Sequence, residues 1–365
     1  MKVPFSALVL LTPAVLTIAG WSQHQDQSPN ASSSSEIANL KDEAKAGDPV
    51  AQRNLADAYE QGKGVNQDDV QAATWYRRAA DQGDSPAMNS LGVLYKYGRG
   101  VERRDEQEVR YYRMSAKLGN AEAMFNLGTC YFEGNGVGID DTRSSAWFFL
   151  SQQAGYANAG EAVKRFIDGK PPSREVEMIF AAARMYEEGV DVPTNRSAAL
   201  TWYRKAADKG SAAAQVKVAS LLIDQTALSS DYTEARQRCE TAAKWKYSPG
   251  DVCLGVMYQR GLGVKQDPSE AVKWFLSGAE LGNTAAMLHP ATAYLEGNGV
   301  QPNRTTACMW TLIAFSLSPT EAQAQQAEVP GVSEQEMVAA KGQAAEWIKR
   351  HKSLVSKPPF QRSAR

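Results

Sequence analysis

Histidine is almost missing from this chain: His24, His289 and His351 are the only three in 365 residues. With no H-E-x-x-H helix and no C-x-x-C pair, the donors for a zinc centre are lacking, and neither metal nor cofactor is expected. Cysteine is scarce as well. Cys130, Cys239, Cys253 and Cys308 form no disulfide framework for a chain this long and read first as buried small hydrophobes. Charge of one sign is lacking too, with 40 basic residues against 41 acidic ones. That balance argues against nucleic acid as a partner. Beyond the first twenty residues there is no long apolar run.

What is present is repetition. A tyrosine returns at Tyr59, Tyr95 and Tyr131, then at Tyr186, Tyr258 and Tyr294, with Leu222 in the same phase, and the unbroken spacing is 36 residues. Counting back to a common start gives copies from Gly47, Gly83, Gly119, Arg174, Gly210, Lys246 and Gly282, plus a half copy from Gly155 to Ser173. Self-similarity at this period signals a solenoid, in which no unit buries its apolar face alone. In the first copy Ala51, Leu55, Ala56 and Tyr59 share helical spacing, as do Ala72, Trp75, Tyr76, Ala79 and Ala80. The expected fold is all-α: seven helix-turn-helix repeats and a half in an α/α superhelix, with a capping helix after them.

The boundaries carry matching chemistry. Asp48, Asp84, Asn120, Ser211 and Asn283 stand where the first helix needs an N-cap; Asp68, Asp140, Asn195, Asp231, Asp267 and Asn303 do so for the second. Arg104 breaks that series. Gly62, Gly98, Gly134, Gly189, Gly261 and Gly297 follow the tyrosine position as left-handed C-caps, and a second glycine two residues on tightens the turn. One large aromatic per second helix (Trp75, Tyr111, Trp147, Trp202, Trp274 or Trp310) is expected to fill the space between repeats.

The stretches "AMNSLGVLYKYGRGV", "AMFNLGTCYFEGNGV" and "GDVCLGVMYQRGLGV", with "AATWYRRAA" and "ALTWYRKAA", resemble the Sel-one-like repeat (SLR), a cousin of the tetratricopeptide repeat. The likeness spans roughly Gly47 to Leu317. It implies an adaptor for protein complexes, without chemistry of its own. Some exported SLR proteins neutralise toxins, including phospholipases of type VI secretion, so an immunity protein is one case it implies. A cell-envelope assembly adaptor is the alternative, and an envelope-polymer hydrolase a distant third. Some relatives are linked to penicillin recognition, but neither S-x-x-K nor K-T-G occurs here.

The copies also depart from the pattern. Pro171-Pro172 in the half copy predicts a bend between a first sub-array (37–154) and a second (174–317). The copy from Gly210 has Gln225 and Ala227 in place of both loop glycines and Arg238 at the tryptophan place. Pro290 falls inside a first helix, where it removes a hydrogen bond and is expected to kink it. Cys239 lies in a second helix and Cys253 in the next first helix, so one bridge is within reach in an oxidising compartment. In the region 318–351, Ser333 and Glu336 have capping-box spacing ahead of a helix bearing Trp347 and Ile348. The tail 352–365 reads as disordered.

Residues 1–20, with Lys2 ahead of the apolar run Pro4 to Ala19, resemble a secretory signal peptide, and 21–36 a polar spacer. The run is short for a full membrane span, which favours cleavage and a periplasmic or secreted monomer over an uncleaved anchor. Removing it leaves 39 basic against 41 acidic side chains.

No enzyme is expected. "GNGVGID" at Gly134 to Asp140 lacks phosphate-loop spacing and reads as a helix-helix turn, Asp140-Asp141 as an N-cap, and Glu187-Glu188 as a solvated helix face. Binding is expected on the first-helix face that a solenoid of this type turns inward, at repeat positions 4, 8, 11 and 15. The early copies place Asn54, Asp57 and Gln61 there, then Ser90, Val93 and Tyr97, then Asn126, Thr129 and Glu133. Arg184 and Glu188 follow, then Lys217, Ser220 and Asp224, then Val256 and Arg260, and finally His289, Thr292 and Glu296. These side chains vary from copy to copy over a fixed scaffold, as a surface for one irregular protein partner requires.

Overall fold

The computed structural model describes residues 31–171, 173–224, 229–318, 329 and 331–355. The expected signal peptide, most of the expected spacer, the stretch around Gln225 and the end of the expected tail lie outside the described residues. The chain divides into two compact units between Asn195 and Arg196. Residues 155–173 lie inside the first.

The first unit contains α1 (Ala31–Ala46), α2 (Pro49–Gln61), α3 (Asp69–Asp81), α4 (Ser85–Tyr97), α5 (Asp105–Lys117), α6 (Ala121–Glu133), α7 (Asp141–Gln153), α8 (Ala159–Ile167) and α9 (Ser173–Glu188). The second contains α10 (Arg196–Asp208), α11 (Ala212–Ile223), α12 (Ser229–Lys244), α13 (Ser248–Arg260), α14 (Pro268–Glu280), α15 (Thr284–Glu296) and α16 (Arg304–Leu317). It closes with α17 (Glu334–Arg350) and α18 (Lys352–Val355). Among the described residues all regular structure is helical, and within each unit consecutive helices pack pairwise, as in an α/α solenoid. Residues 31–36, assigned above to the spacer, are the first turns of α1, and Ala44 is buried in the adjoining core.

Each boundary has its cause in a named group. Asp48, Asp84, Asn120, Ser211 and Asn283 accept from the backbone amide three residues on, satisfying donors that a helix start leaves open. Asp68, Asp140, Asp267 and Asn303 do the same for second helices. Arg104 makes no cap bond, and the acidic first turn Asp105, Glu106 and Glu108 faces that helix start instead. Asp231 is a correction: α12 begins at Ser229, so Asp231 lies within its first turn. The loop closes the same way in five copies, the amide of the residue before the second helix donating to the tyrosine-position carbonyl, as in Asp68 to Tyr59 at 2.9 Å and Asn303 to Tyr294 at 2.8 Å. The second loop glycine is dictated by crowding, because a Cβ on Gly100 would stand 2.0 Å from the Asp69 carbonyl oxygen of the preceding repeat. Asp191 takes that place in the copy after the half repeat, at φ 62°, and its carboxylate accepts from Arg113 (2.5 Å) and from the Tyr131 hydroxyl.

The aromatic register differs from the expectation by one residue. Trp75, Trp147 and Trp310 are buried, but Tyr111, Trp202 and Trp274 are only half-buried. In five of the seven copies the residue after it is a buried ring: Tyr76, Tyr112, Phe148, Tyr203 and Phe275 are each 2 % exposed or less, whereas Cys239 and Thr311 stand at that place in the other two. Glycine in the first helix explains why. A Cβ on Gly92 would meet the Tyr112 ring at 2.6 Å, and one on Gly255 the Phe275 ring at 2.5 Å, so each ring lies directly on backbone. Pro290 sits inside α15, yet the helix continues to Glu296 and the ring is buried. At the end of the second unit, Ser333 and Glu336 form the capping box and Trp347 packs on Trp310, its indole N–H donating to Glu280.

Candidate functional site

First helices carry the exposed face that could receive a partner, and the structure sorts most of the expected residues into three groups. In the first unit Asn54, Gln61 and Tyr97 are exposed and Ser90 is half-buried. Arg184 and Glu188 are exposed and pair with each other one turn apart at 2.8 Å. A second group is spent on the fold. Asp57 accepts the Tyr76 hydroxyl at 2.5 Å, Asn126 donates to Asn89 across α6 and α4, and Glu133 accepts from Asn135. Lys217 lies over the Tyr203 ring at 5.9 Å.

Thr129 is a correction. It is 3 % exposed, and its hydroxyl bonds back to the Phe125 carbonyl. The half copy explains this. On the same side of α6, Phe125 meets Tyr156 and Phe132 meets Phe166, with ring centroids 5.2 and 5.9 Å apart. The α8 segment thus lies on the part of the face that periodicity assigned to binding. A half repeat has no second helix to stack, so its apolar residues bury against the nearest first and second helices instead.

The third group converges. In the second unit a cavity of about 400 Å³ opens on three successive first helices, α11, α13 and α15. Ser220, Asp224, Val256 and Arg260, all expected on this face, line it, together with Pro249 and Ala285 at repeat position 4. Its floor is apolar: Val216, Ile223 and Val252, with the half-buried Cys253 among them. Polar groups stand at its edges. Arg260 is exposed, and Asp224 lies 3.9 Å from Arg196, which also donates to the Leu221 carbonyl. The apolar floor at positions 7 and 14 was missed, although Phe125, Val216, Val252 and Leu288 recur at position 7 in the sequence.

Cys239 and Cys253 are joined by a disulfide, with Cα atoms 5.9 Å apart, which ties α12 to α13 beside this cavity. Cys130 and Cys308 are buried and free. Burial and the adjacent Glu108 carboxylate, 3.4 Å away, push the Cys130 thiol well above its ordinary range, so it stays protonated and inert. His289 does not join the large cavity. Its ring stacks on Phe275 at 3.9 Å, beside a pocket of about 90 Å³ shared with Thr292 and Glu296. Burial lowers its pKa, so the imidazole is neutral at pH 7. Among the described residues no group of three His, Cys, Asp or Glu could hold a metal ion, and no helix is long and apolar enough to cross a membrane.

No curated protein matches the sequence. Among solved structures, a protective antigen of uropathogenic Escherichia coli with an SLR fold is 26 % identical, with a TM-score of 0.46, over 88 % of this chain and 73 % of that one. A Sel1 repeat protein from Oxalobacter formigenes is 24 % identical, with a TM-score of 0.38, over 82 % of both chains. The Sel1 repeat pattern itself matches residues 49–84, 85–120, 121–152, 176–211, 254–283 and 285–318. It passes over most of the copy from Gly210, where Arg238 and Cys239 replace the aromatic pair, although α11 and α12 form there. With more than half of its length in six matched copies, the chain belongs to the Sel1 repeat family.

Proposed function

We propose that this protein is an exported interaction scaffold that holds a protein partner in the α11, α13 and α15 groove. Sel1 repeat proteins generally act as protein-protein interaction scaffolds and are typically non-catalytic. The observation that carries the reading is the cavity of about 400 Å³, to which three successive repeats contribute through their first helices. An apolar floor with polar groups at its edges is the build of an interface core and its rim. Two features support export: the resemblance of residues 1–20 to a signal peptide, and a disulfide of the kind that persists in oxidising compartments. Within this reading, a toxin neutralised after export is the case the family likeness implies, and an envelope-assembly component is its rival.

Affinity capture from the exported fraction tests the proposal, with Ser220→Arg plus Arg260→Glu as the groove variant, since both side chains are exposed and line the cavity. The expected result is a stoichiometric protein retained by the natural chain and lost, by at least about tenfold, with the variant. A toxin or lipase would select the immunity role, and an envelope component the assembly role. Equal retention by both chains would refute the groove.

A further inference from the structure

Second-helix rings occupy one register place: Tyr76, Tyr112, Phe148, Tyr203 and Phe275. In α12 that place holds Cys239, fully buried, and its neighbour Arg238 stands where tryptophan stands elsewhere. Arg238 turns to Asp208 and Glu234 instead of packing as a ring. The ring is therefore absent where α12 supports its neighbours, and a covalent bond to Cys253 stands in that place. Cys253 belongs to α13, the middle of the three helices that line the groove, and is itself one of the residues that line it. The staple and the binding surface are thus one element.

From this placement we infer that the groove is under thiol control: its middle wall is held while Cys239 and Cys253 are bridged and is loosened by a dithiol reductant. The two sulfurs differ in access, Cys239 being fully buried and Cys253 half-buried at the cavity. The reductant's thiolate attacks the Cys253 sulfur from the groove, the S–S bond breaks, and Cys239 leaves as a thiolate that takes up a proton. The reductant's second thiol then displaces Cys253 as the second protein thiol. Two electrons and two protons pass to the protein, and the dithiol becomes a disulfide; a disulfide-donating oxidant reverses the exchange. Once reduced, Cys239 is a small side chain at a place that five other repeats fill with a ring, so α12 and α13 lose cohesion. A partner seated in the groove covers Cys253 and slows its reduction. Because the partner seats on the held wall, the reduced chain binds it more weakly, and by linkage a seated partner shifts the thiol-disulfide equilibrium toward the bridge.

The inference rests on the scaffold reading for what the groove is used for, but its chemistry can be tested without a partner. The full chain is treated with dithiothreitol and amide hydrogen exchange is followed. Exchange in α12 and α13 is expected to rise by at least about tenfold while α2 to α6 stay unchanged. A separate limited reaction with oxidised and reduced glutathione, mapped by mass spectrometry, is expected to place the adduct on Cys253. Unchanged exchange after complete reduction, or an adduct on Cys239, overturns the inference. Chemical reduction of the natural chain avoids reliance on a variant that fails to fold, and Cys253→Ser provides a second loosened form. If a captured partner binds oxidised and reduced chains equally, the control fails and the scaffold reading stands. If no captured protein depends on the groove, the scaffold reading fails and the exchange data still decide the control.

Discussion

Gly92 shows how much of the architecture is decided at single positions. Its Cα lies under the Tyr112 ring, so Gly92→Ala forces a methyl to within 2.6 Å of that ring. Overpacking of this kind costs about 1–3 kcal/mol, whereas Gly138→Ala, with open space around it, stays within about 0.5 kcal/mol; urea unfolding of the two variants measures the difference. The same reasoning separates two adjacent aromatics. Tyr203→Ala is expected to cost about 3–5 kcal/mol and Trp202→Ala less, because the first ring is fully buried and the second half-buried. That order reverses the weight that sequence alone places on tryptophan. Aromatic identity is legible in the repeat, but which of two adjacent rings meets the glycine depends on helix phase across a tertiary contact.

Two buried acids set a pH dependence. Desolvation raises the pKa of Glu108 above 4.5 and that of Asp251 above 3.8, as each carboxyl is almost wholly removed from water. Lys96 and Arg103 partly oppose the Glu108 shift, and the Ser277 hydroxyl that of Asp251. A folded state that holds these protons more tightly than the unfolded chain loses stability as pH rises through the raised values. Glu234 acts in the opposite sense and at lower pH, because Arg204 lowers its pKa and its contribution disappears only as pH falls. Unfolding free energy is therefore expected to decline as pH rises from the ordinary carboxyl values, 3.8 for Asp251 and 4.5 for Glu108, toward the raised ones. Glu108→Gln with Asp251→Asn should flatten the decline, and an unchanged profile would contradict the assignment.

At the scale of the element, caps and staples distinguish helices that the repeat makes alike. The capping helix α17 covers Trp310 through Trp347, so Trp347→Ala should cost about 3–5 kcal/mol and be read as a lower melting temperature. The bridge between α12 and α13 closes a loop of 14 residues, and replacing both cysteines by serine should cost about 3 kcal/mol. Helix starts and stops were readable because Asp, Asn and Ser at one phase and Gly at another have local reasons to be there. Asp231 failed that test because α12 begins two residues earlier. The position of α8 was not readable either: nothing local in "GYANAGEAVKRFIDG" says that Tyr156 and Phe166 will cover Phe125 and Phe132.

For the whole molecule, the 36-residue period made the α/α fold legible before any coordinate, since one unit's apolar face needs the next unit to bury it. The binding face was legible only in part. Period arithmetic found Ser220, Asp224, Val256 and Arg260, but it also named Thr129, which the half repeat buries, and Asp57 and Lys217, which face neighbouring rings. What converts a face into a groove is where three helices leave room, and that is set by packing between repeats. The central claim is that a partner sits in that room. The most direct measurement is photo-crosslinking in the native cell, with a benzophenone side chain placed at Ser220 in the groove or at the exposed Thr201 on α10. The account predicts a discrete protein adduct from position 220 and none from position 201, whereas adducts from 201 alone, or equally from both, would contradict it.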